Sequence, residues 1–186
     1  MPFVDPVAAH RSGIQLAGRA QCEGVLFAVY DDIRQGFVAT VNDVFVKSQA
    51  PFVAYVAQDA FAGRSWLAAA VAKAKLMSAG LVPFNDGKWH GELAAFGLVE
   101  RSWAANNYAG ALFHPGYRRH YADTELTLLA NSVGKLAYDP HAVLVEVDWA
   151  KDKARVDDND RALFQSRLAS RFDGKVVETA LLSRFA

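Results

Sequence analysis

Two uninterrupted apolar runs constrain the fold of this chain more than any other feature. They cover Val25–Tyr30 and Phe52–Ala57, and each ends at polar or acidic residues. Runs of this kind are typical of strands that are buried on both faces of a parallel sheet. Segments with the apolar spacing of helices precede, separate and follow the two runs. This alternation predicts an α/β fold with a mostly parallel sheet, flanked by helices, and with a short antiparallel portion.

The same spacing predicts the bounds of the other elements. Ser65 and Asp123 are expected to be the N-caps of their helices, and Gly80 and Gly134 lie where those helices should end. Helices are expected from Pro6 to about Cys22, from Phe37 to Phe45, from Ser65 to Gly80, from Asp123 to Gly134 and, as a C-terminal helix, over about 157–172; strands are expected at Leu81–Phe84, within Leu93–Trp103 and at Ala142–Val147.

The composition predicts one soluble domain over residues 1–186. A hydrophobic content of 52% and a charged content of 22% are ordinary for a globular protein. The 20 basic and 20 acidic residues balance, so no bulk attraction to nucleic acid or to a membrane is expected. Cys22 alone cannot form an internal disulfide framework. No apolar run approaches the ~20 residues of a membrane-spanning helix, and we therefore expect a cytoplasmic protein, with its oligomeric state left open.

Acidic residues follow both apolar runs. Asp31 and Asp32 come directly after the first run, and Asp59 comes two residues after the second. In open α/β sheets, ligands bind outside the carboxyl ends of the strands. The sequence therefore predicts a binding site where these carboxylates meet, with one of Asp31 and Asp32 functional and the other solvated.

A second carboxylate pair, Asp123 and Glu125, lies at the predicted start of a helix. The side-chain oxygen of Asp123 could simply cap that helix and stabilise it by ~1 kcal/mol. The same carboxylate could act as a general base, because capping and proton transfer are compatible roles. Glu125 is the nearby alternative base.

The loop before this helix is rich in aromatic and basic residues. His114 and His120 flank Arg118 and Arg119. Guanidinium groups bind phosphate oxygens through paired hydrogen bonds, so the two arginines could contact a diphosphate. A solvated loop is the alternative interpretation.

Several motifs, in this order along the chain, resemble the family 2 glycosyltransferases of the GT-A fold. The resemblance runs from about residue 24 to 170 and is similar to short bacterial or phage members. The matching pieces are Val29-Tyr-Asp-Asp32, Gln35-Gly36 through Asn42, Tyr55-Val-Ala-Gln-Asp59, Gly63-Arg-Ser-Trp-Leu67, His114-Pro-Gly-Tyr117, Tyr121-Ala-Asp-Thr-Glu-Leu126, Gly134 and Tyr138-Asp-Pro140.

The resemblance implies a GT-A-like sheet and roles for particular residues. Asp31 or Asp32 would bind the nucleobase of a nucleotide-diphosphate sugar, and Asn42 would lie in the same donor site. Asp59 would match the D-x-D motif, which holds Mn²⁺ or Mg²⁺ on the donor diphosphate, with Asp148 as a further metal ligand. Asp123 would match the general base of an inverting transfer.

The chain departs from the family pattern in three places. Gln58 and Ala60 flank Asp59, so one carboxylate stands where the family usually has two or more. Glu146 and Asp148 occupy the region where many members carry a metal-binding histidine. The first strand of the fold is reduced to Pro2–Val4.

These observations favour one function and leave a second open. The favoured function is transfer of a sugar from a nucleotide-diphosphate sugar to an acceptor hydroxyl on a glycan, protein, lipid or modified nucleic acid. The alternative is a non-catalytic domain that binds nucleotide sugars or glycans on a degenerate scaffold of the same kind. The motif around Asp123 favours the enzyme, because a binding domain has no need of a base.

Overall fold

The computed structural model describes residues 1–146 and 156–185, which form a mixed α/β structure. None of the helices in these residues is long and apolar enough to cross a membrane. In chain order the elements are β1 (Pro2–Phe3), α1 (Pro6–Arg19), β2 (Val29–Tyr30), α2 (Phe37–Lys47), β3 (Phe52–Tyr55), β4 (Ala60–Ala62), α3 (Trp66–Met77), β5 (Leu81–Pro83), β6 (Gly97–Glu100), α4 (Arg101–Ala105), α5 (Ala122–Ser132), β7 (Leu144–Glu146), α6 (Asp158–Ala169) and α7 (Thr179–Leu182).

The prediction of a mostly parallel sheet is wrong for the described strands. The main sheet has the order β3-β6-β5, and β6 runs antiparallel to both of its neighbours. A second antiparallel ladder joins β4 to β7. Parallel pairing is confined to β1 with β2 and to two isolated bridges, Leu81 with Leu136 and Asn85 with Val143. Since β3 and β5 both pair with β6, they run in the same direction as each other.

Much of the difference between the predicted and the observed sheet comes from the apolar run Val25–Tyr30. Only Val29 and Tyr30 form a strand, and they pair with the short strand β1. Val25 is 77% exposed and Phe27 is 47% exposed, so the run is not buried on two faces. With the N-terminal strand limited to Pro2–Phe3, no long parallel neighbour is present among the described residues to cover it.

The predicted helices are confirmed in position, with changes at their ends. Ser65 precedes α3 in the left-handed conformation and its side chain makes no capping hydrogen bond. The C-terminal helix, predicted over about 157–172, ends at Ala169. Arg171, Phe172 and Asp173 all have positive φ angles, which an α-helix cannot contain, and they turn the chain away from α6.

Two apolar clusters hold the elements together. One packs α2, β3, α5 and α6 around Phe45, Leu126 and Phe164. The other packs α1, α3 and β4 around Leu16, Trp66 and Phe84. The ring of Tyr121 stacks on Phe164 at 4.6 Å between ring centres, which fixes the start of α5 against α6. This contact matters for the site, because the predicted base follows directly in the first turn of α5.

Candidate functional site

An open cavity of about 440 Å³ lies where the N-terminal strand, the β2–α2 loop, the end of β3 and the start of α5 come together. Aromatic rings and a few charged side chains line it, which is the usual chemistry of a small-molecule site. The lining residues are Pro2, Phe3, Val4, Asp31, Gly36, Phe37, Ala57, Gln58, Ala95, Phe96, Phe113, Arg119, His120, Ala122 and Asp123.

Asp123 lies half-buried in the wall of this cavity. It is not the N-cap of α5, as the sequence predicted, because Tyr121 occupies that position with a φ of 64°. Asp123 belongs to the first helical turn, and its Oδ1 accepts the backbone N–H of Thr124 at 2.9 Å. Desolvation raises the pKa of Asp123 to about 6, against the opposing effect of the Thr124 hydrogen bonds. A carboxylate with this pKa is a competent proton acceptor near neutral pH.

The structure separates Asp31 from Asp32. Asp31 lines the cavity, and its two oxygens accept the backbone N–H groups of Gln35 at 2.8 Å and Gly36 at 3.0 Å. Asp32 is exposed and its Oδ1 accepts the backbone N–H of Ile33. Asp31 therefore shapes the loop that leads into α2 and also presents negative charge to the cavity.

Arg119 and His120 form another wall of the cavity, and Asp160 fixes the backbone of the segment from Arg118 to His120. The carboxylate of Asp160 is only 2% exposed and accepts three consecutive backbone N–H groups, from Arg118, Arg119 and His120, at 2.8 to 2.9 Å. The carbonyl of Arg118 also accepts the N–H of Val38 in α2. Helices α2 and α6 together hold this segment beside the cavity.

The two arginines of this segment face different surroundings. Arg119 lines the cavity and its side chain is exposed. The guanidinium of Arg118 instead donates to the carbonyl oxygen of Arg34 at 2.8 Å. Of the two predicted diphosphate contacts, Arg119 lines the same cavity as Asp123 and Asp31, whereas Arg118 is not among the described lining residues.

Glu125 lies in a different environment from Asp123. Its carboxylate is fully buried and accepts hydrogen bonds from the hydroxyls of Tyr108 and Tyr117, both at 2.8 Å. Arg167 of α6 completes the set with an ion pair of 2.7 Å. Burial beside the negative charge of Glu125 raises the pKa of both tyrosines. The network ties α5, α6 and the 108–117 loop together. Glu125 is not one of the described residues that line the cavity.

Asn42 connects α2 to the loop before the site. Its Nδ2 donates to the carbonyl of Phe113 at 3.0 Å, and its Oδ1 accepts the N–H groups of Leu112 and Phe113. These bonds place the ring of Phe113 in the cavity wall. Asn42 itself is not one of the described lining residues, so its predicted donor contact is indirect in this geometry.

The predicted metal ligands are only partly brought together. Ala60 pairs with Glu146 in the β4–β7 ladder, so Asp59, the residue just before β4, lies near the end of that ladder where Glu146 is. Asp148 lies outside the described residues. In the described parts of the chain, no three His, Cys, Asp or Glu side chains come together to hold a metal ion. Mg²⁺ is typically held by one or two carboxylates together with water and substrate phosphates.

Sequence reasoning missed two residues that build the site. Asp160 reads as an ordinary acidic residue in the first turn of a helix, and nothing in its local sequence shows that it binds a segment 40 residues earlier. Gly36 has a φ of 104°, and a Cβ atom there would lie 2.6 Å from the carbonyl oxygen of Arg118. The sequence places Gly36 in one of the matching motifs but gives no local signal of this close approach.

Replacing Gly36 by Ala tests the close approach of the Arg118 segment to α2. We expect Gly36→Ala to lower the free energy of unfolding by about 2 kcal/mol or more, because it adds backbone strain and a steric contact. Gly18→Ala in α1 is the matched control, since a Cβ there meets nothing within 4 Å. The control should gain about 0.5 kcal/mol from reduced chain entropy. Urea denaturation measures both, and equal effects would show that Gly36 has no special role.

Comparison with known proteins finds no match, whether to a family model, to a curated protein or to a solved structure.

Proposed function

We propose that the protein transfers a sugar from a nucleotide-diphosphate sugar to an acceptor hydroxyl, with Asp123 as the general base. One observation carries this proposal: a half-buried carboxylate with a pKa of about 6 opens onto a cavity of about 440 Å³. A carboxylate that serves only structure is normally neutralised by partners, as Glu125 is by Arg167. Asp123 has neither an arginine nor a lysine against it among the contacts described.

In the proposed reaction, Asp123 removes the proton of the acceptor hydroxyl. The acceptor oxygen then forms a bond to the anomeric carbon of the donor sugar, and the bond from that carbon to the diphosphate oxygen breaks. The electron pair of the broken bond leaves on the diphosphate, and the proton stays on Asp123. A base within hydrogen-bonding distance contributes about 10²–10⁴-fold to the rate of such a step.

Two other lining residues, Arg119 and Asp31, suit the donor. Arg119 offers a guanidinium to the diphosphate, whose negative charge increases as the sugar departs. Asp31 lies at the end of β2, where its oxygens could also accept hydrogen bonds from a nucleobase. A bound Mn²⁺ or Mg²⁺ would supply additional positive charge at the diphosphate. Asp59 with Glu146 is the described place where such an ion would find carboxylates, with Asp148 as the third ligand that the resemblance implies.

A non-catalytic nucleotide-sugar or glycan binding domain is the second candidate, and Gln58 favours it. Gln58 stands beside Asp59, where the resembled family usually has another carboxylate. Its Oε1 accepts the backbone N–H groups of Val4 at 2.7 Å and Asp5 at 3.0 Å. The residue therefore anchors the short N-terminal strand instead of holding a metal. The two candidates share the donor site and differ in whether Asp123 takes up a proton.

Replacing Arg119 or Arg118 by glutamine tests the proposed donor site. We expect Arg119→Gln to weaken the binding of nucleoside diphosphates at least about tenfold, because a charge-assisted hydrogen bond is lost. Arg118→Gln, the same change one residue earlier, should alter the affinity less than threefold, roughly a few tenths of a kcal/mol. Calorimetry with UDP, GDP, CDP and ADP, each with Mn²⁺ and with a chelator, measures the affinities.

Two results of that experiment would contradict the proposed donor site. Equal losses in the two arginine variants would show that Arg119 is not the diphosphate contact. Failure of every nucleoside diphosphate to bind the parent protein, with or without Mn²⁺, would refute the transferase and the nucleotide-sugar binding domain, and would leave only a glycan binding domain. Binding without any transfer to an acceptor would select the binding domain. Localisation in the cytoplasm and the single-domain organisation stay predictions.

A further inference from the structure

His120 lines the cavity between Arg119 and the start of α5, and the proposed reaction does not use it. Its side chain is 30% exposed, so part of the ring is open to a ligand. The other part faces the first turn of α6. Because a histidine ring has two distinct nitrogens, the partner of one nitrogen determines what the other offers.

The Nδ1 atom of His120 accepts the backbone N–H of Asp157 at 3.2 Å. An N–H donor can bond only to a ring nitrogen that carries no proton. The Asp157 contact therefore selects the neutral tautomer in which the proton is on Nε2. Protonation of Nδ1 would place two N–H groups against each other and would break this contact.

The charged groups around the ring act in opposite directions. Burial and the positive charge of Arg119 lower the pKa of His120, whereas Asp160 and Asp157 raise it, and burial is the largest effect. Together these effects lower the pKa of His120 below its ordinary value, which favours the neutral ring near pH 7. Asp160 is 3.8 Å from Nδ1, but its oxygens already accept three backbone N–H groups.

From these contacts we propose that His120 is a donor-binding residue: its neutral ring donates the Nε2 proton to a phosphate oxygen of a nucleoside diphosphate in the cavity. The first turn of α6 sets this up in two ways. The backbone N–H of Asp157 fixes the tautomer, and the buried carboxylate of Asp160 fixes the backbone from which the ring projects. This inference rests on the proposed donor site, and it adds a neutral hydrogen-bond donor beside the cationic Arg119.

The tautomer can be measured directly. Nitrogen–proton correlation spectra of the parent protein with ¹⁵N-labelled histidine, assigned with a His120 variant, distinguish the two neutral tautomers and the protonated ring. We expect the proton on Nε2 at pH 7, and we expect the Nε2 signal to move when UDP, GDP, CDP or ADP is added. A protonated ring, or a proton on Nδ1, would overturn the inference whether or not any nucleotide binds.

Two substitutions then test which of the two ring nitrogens of His120 contacts the nucleotide, because each places an amide group near a different nitrogen. His120→Gln places an amide N–H near the position of Nε2, and His120→Asn places its amide near the position of Nδ1. We expect His120→Asn to weaken nucleoside diphosphate binding about tenfold or more, and His120→Gln to restore most of the affinity. Thermal melts of both variants check that the fold is kept.

The outcomes distinguish this inference from the proposed function. If nucleotides bind the parent protein but both variants bind as tightly as the parent, the inference fails and the donor site stands. Equal losses of nucleotide affinity in both variants would also overturn the inference. A histidine with only a structural role would give this result, because glutamine would then not restore the affinity. If no nucleoside diphosphate binds the parent protein, the proposed function and this inference fall together.

Discussion

Asp123→Asn is expected to cut sugar transfer at least about a hundredfold while it makes the protein more stable at pH 7. The loss of rate follows because an amide cannot take up a proton near neutral pH. The gain in stability follows because the folded state holds an ionised carboxylate in a desolvated position. The pKa of Asp123 is raised from 3.8 to about 6, and a shift of this size corresponds to up to about 3 kcal/mol at pH 7.

The pH dependence provides a separate check on this prediction. Since the folded state holds the proton more tightly than the unfolded state, the stability of the parent protein should fall as the pH rises from about 4 to about 6. Asp123→Asn should lack that fall. The variant should therefore become more stable relative to the parent protein as the pH rises over this range, and the difference in their free energies of unfolding should then level off. For the parent protein, kcat/KM should rise through about pH 6 as Asp123 ionises.

Asp158→Asn is the matched control for Asp123→Asn. Asp158 is also a first-turn aspartate, but on α6, and its side chain is 58% exposed. This control should leave sugar transfer unchanged. It should lower the free energy of unfolding by about 0.5 kcal/mol, because the ion pair with Arg161 and the interaction with the helix dipole are lost. Transfer by Asp123→Asn at the parent rate would show that Asp123 is not the base. A fall in stability at pH 7 would show that its charge is stabilised instead of desolvated.

Arg167→Met is expected to have the largest effect on stability, a loss of about 3–5 kcal/mol. The substitution keeps much of the apolar stem of the side chain but leaves the carboxylate of Glu125 buried without its cation. Glu125 is 0% exposed, and of its described partners the carboxylate would keep the hydroxyls of Tyr108 and Tyr117. A loss of this size is a large part of the stability of an ordinary domain.

Arg161→Met, on the same helix, provides the comparison. The Arg161 side chain is 53% exposed and pairs with Asp158 at 3.8 Å, so its loss should cost less than about 0.5 kcal/mol. Urea denaturation gives both values from the transition midpoints. Should Arg167→Met fail to fold, Tyr117→Phe removes a single donor to Glu125 and should cost about 1–2 kcal/mol. The interpretation of the network fails if Arg167→Met and Arg161→Met unfold at the same urea concentration.

The helices could be predicted from the sequence because their signals are local. The spacing of Phe37, Val41 and Phe45 marks one face of α2, and Gly134 marks the end of α5. The strand pairing could not be predicted in this way. An apolar run shows that burial would be favourable, but it does not specify which strand pairs with it or in which direction. Val25–Tyr30 is therefore apolar and largely exposed at the same time.

The candidate site was partly predictable for a similar reason. Asp123 and the pair Asp31 and Asp32 were candidates because acidic residues stand out at the start of a helix and at the end of a strand, but the sequence did not separate Asp31 from Asp32. Arg118 and Arg119 could not be told apart, since their order along the loop does not show which guanidinium turns toward the cavity. Asp160 gave no local signal, because its partners lie about 40 residues earlier in the chain.

The sequence by itself determined that Asp123 and Glu125 would begin a helix beside a basic, aromatic loop. Only the tertiary structure decided the burial and the partners of each carboxylate. Arg167, which is 42 residues from Glu125 in the sequence, reaches it from α6 and neutralises it in the core. Asp123 lies two residues earlier, on a different side of the same helical turn, and opens onto the cavity. Residues two apart on a helix point in different directions, so the elements packed on each side set the charge, burial and chemistry of two otherwise similar side chains.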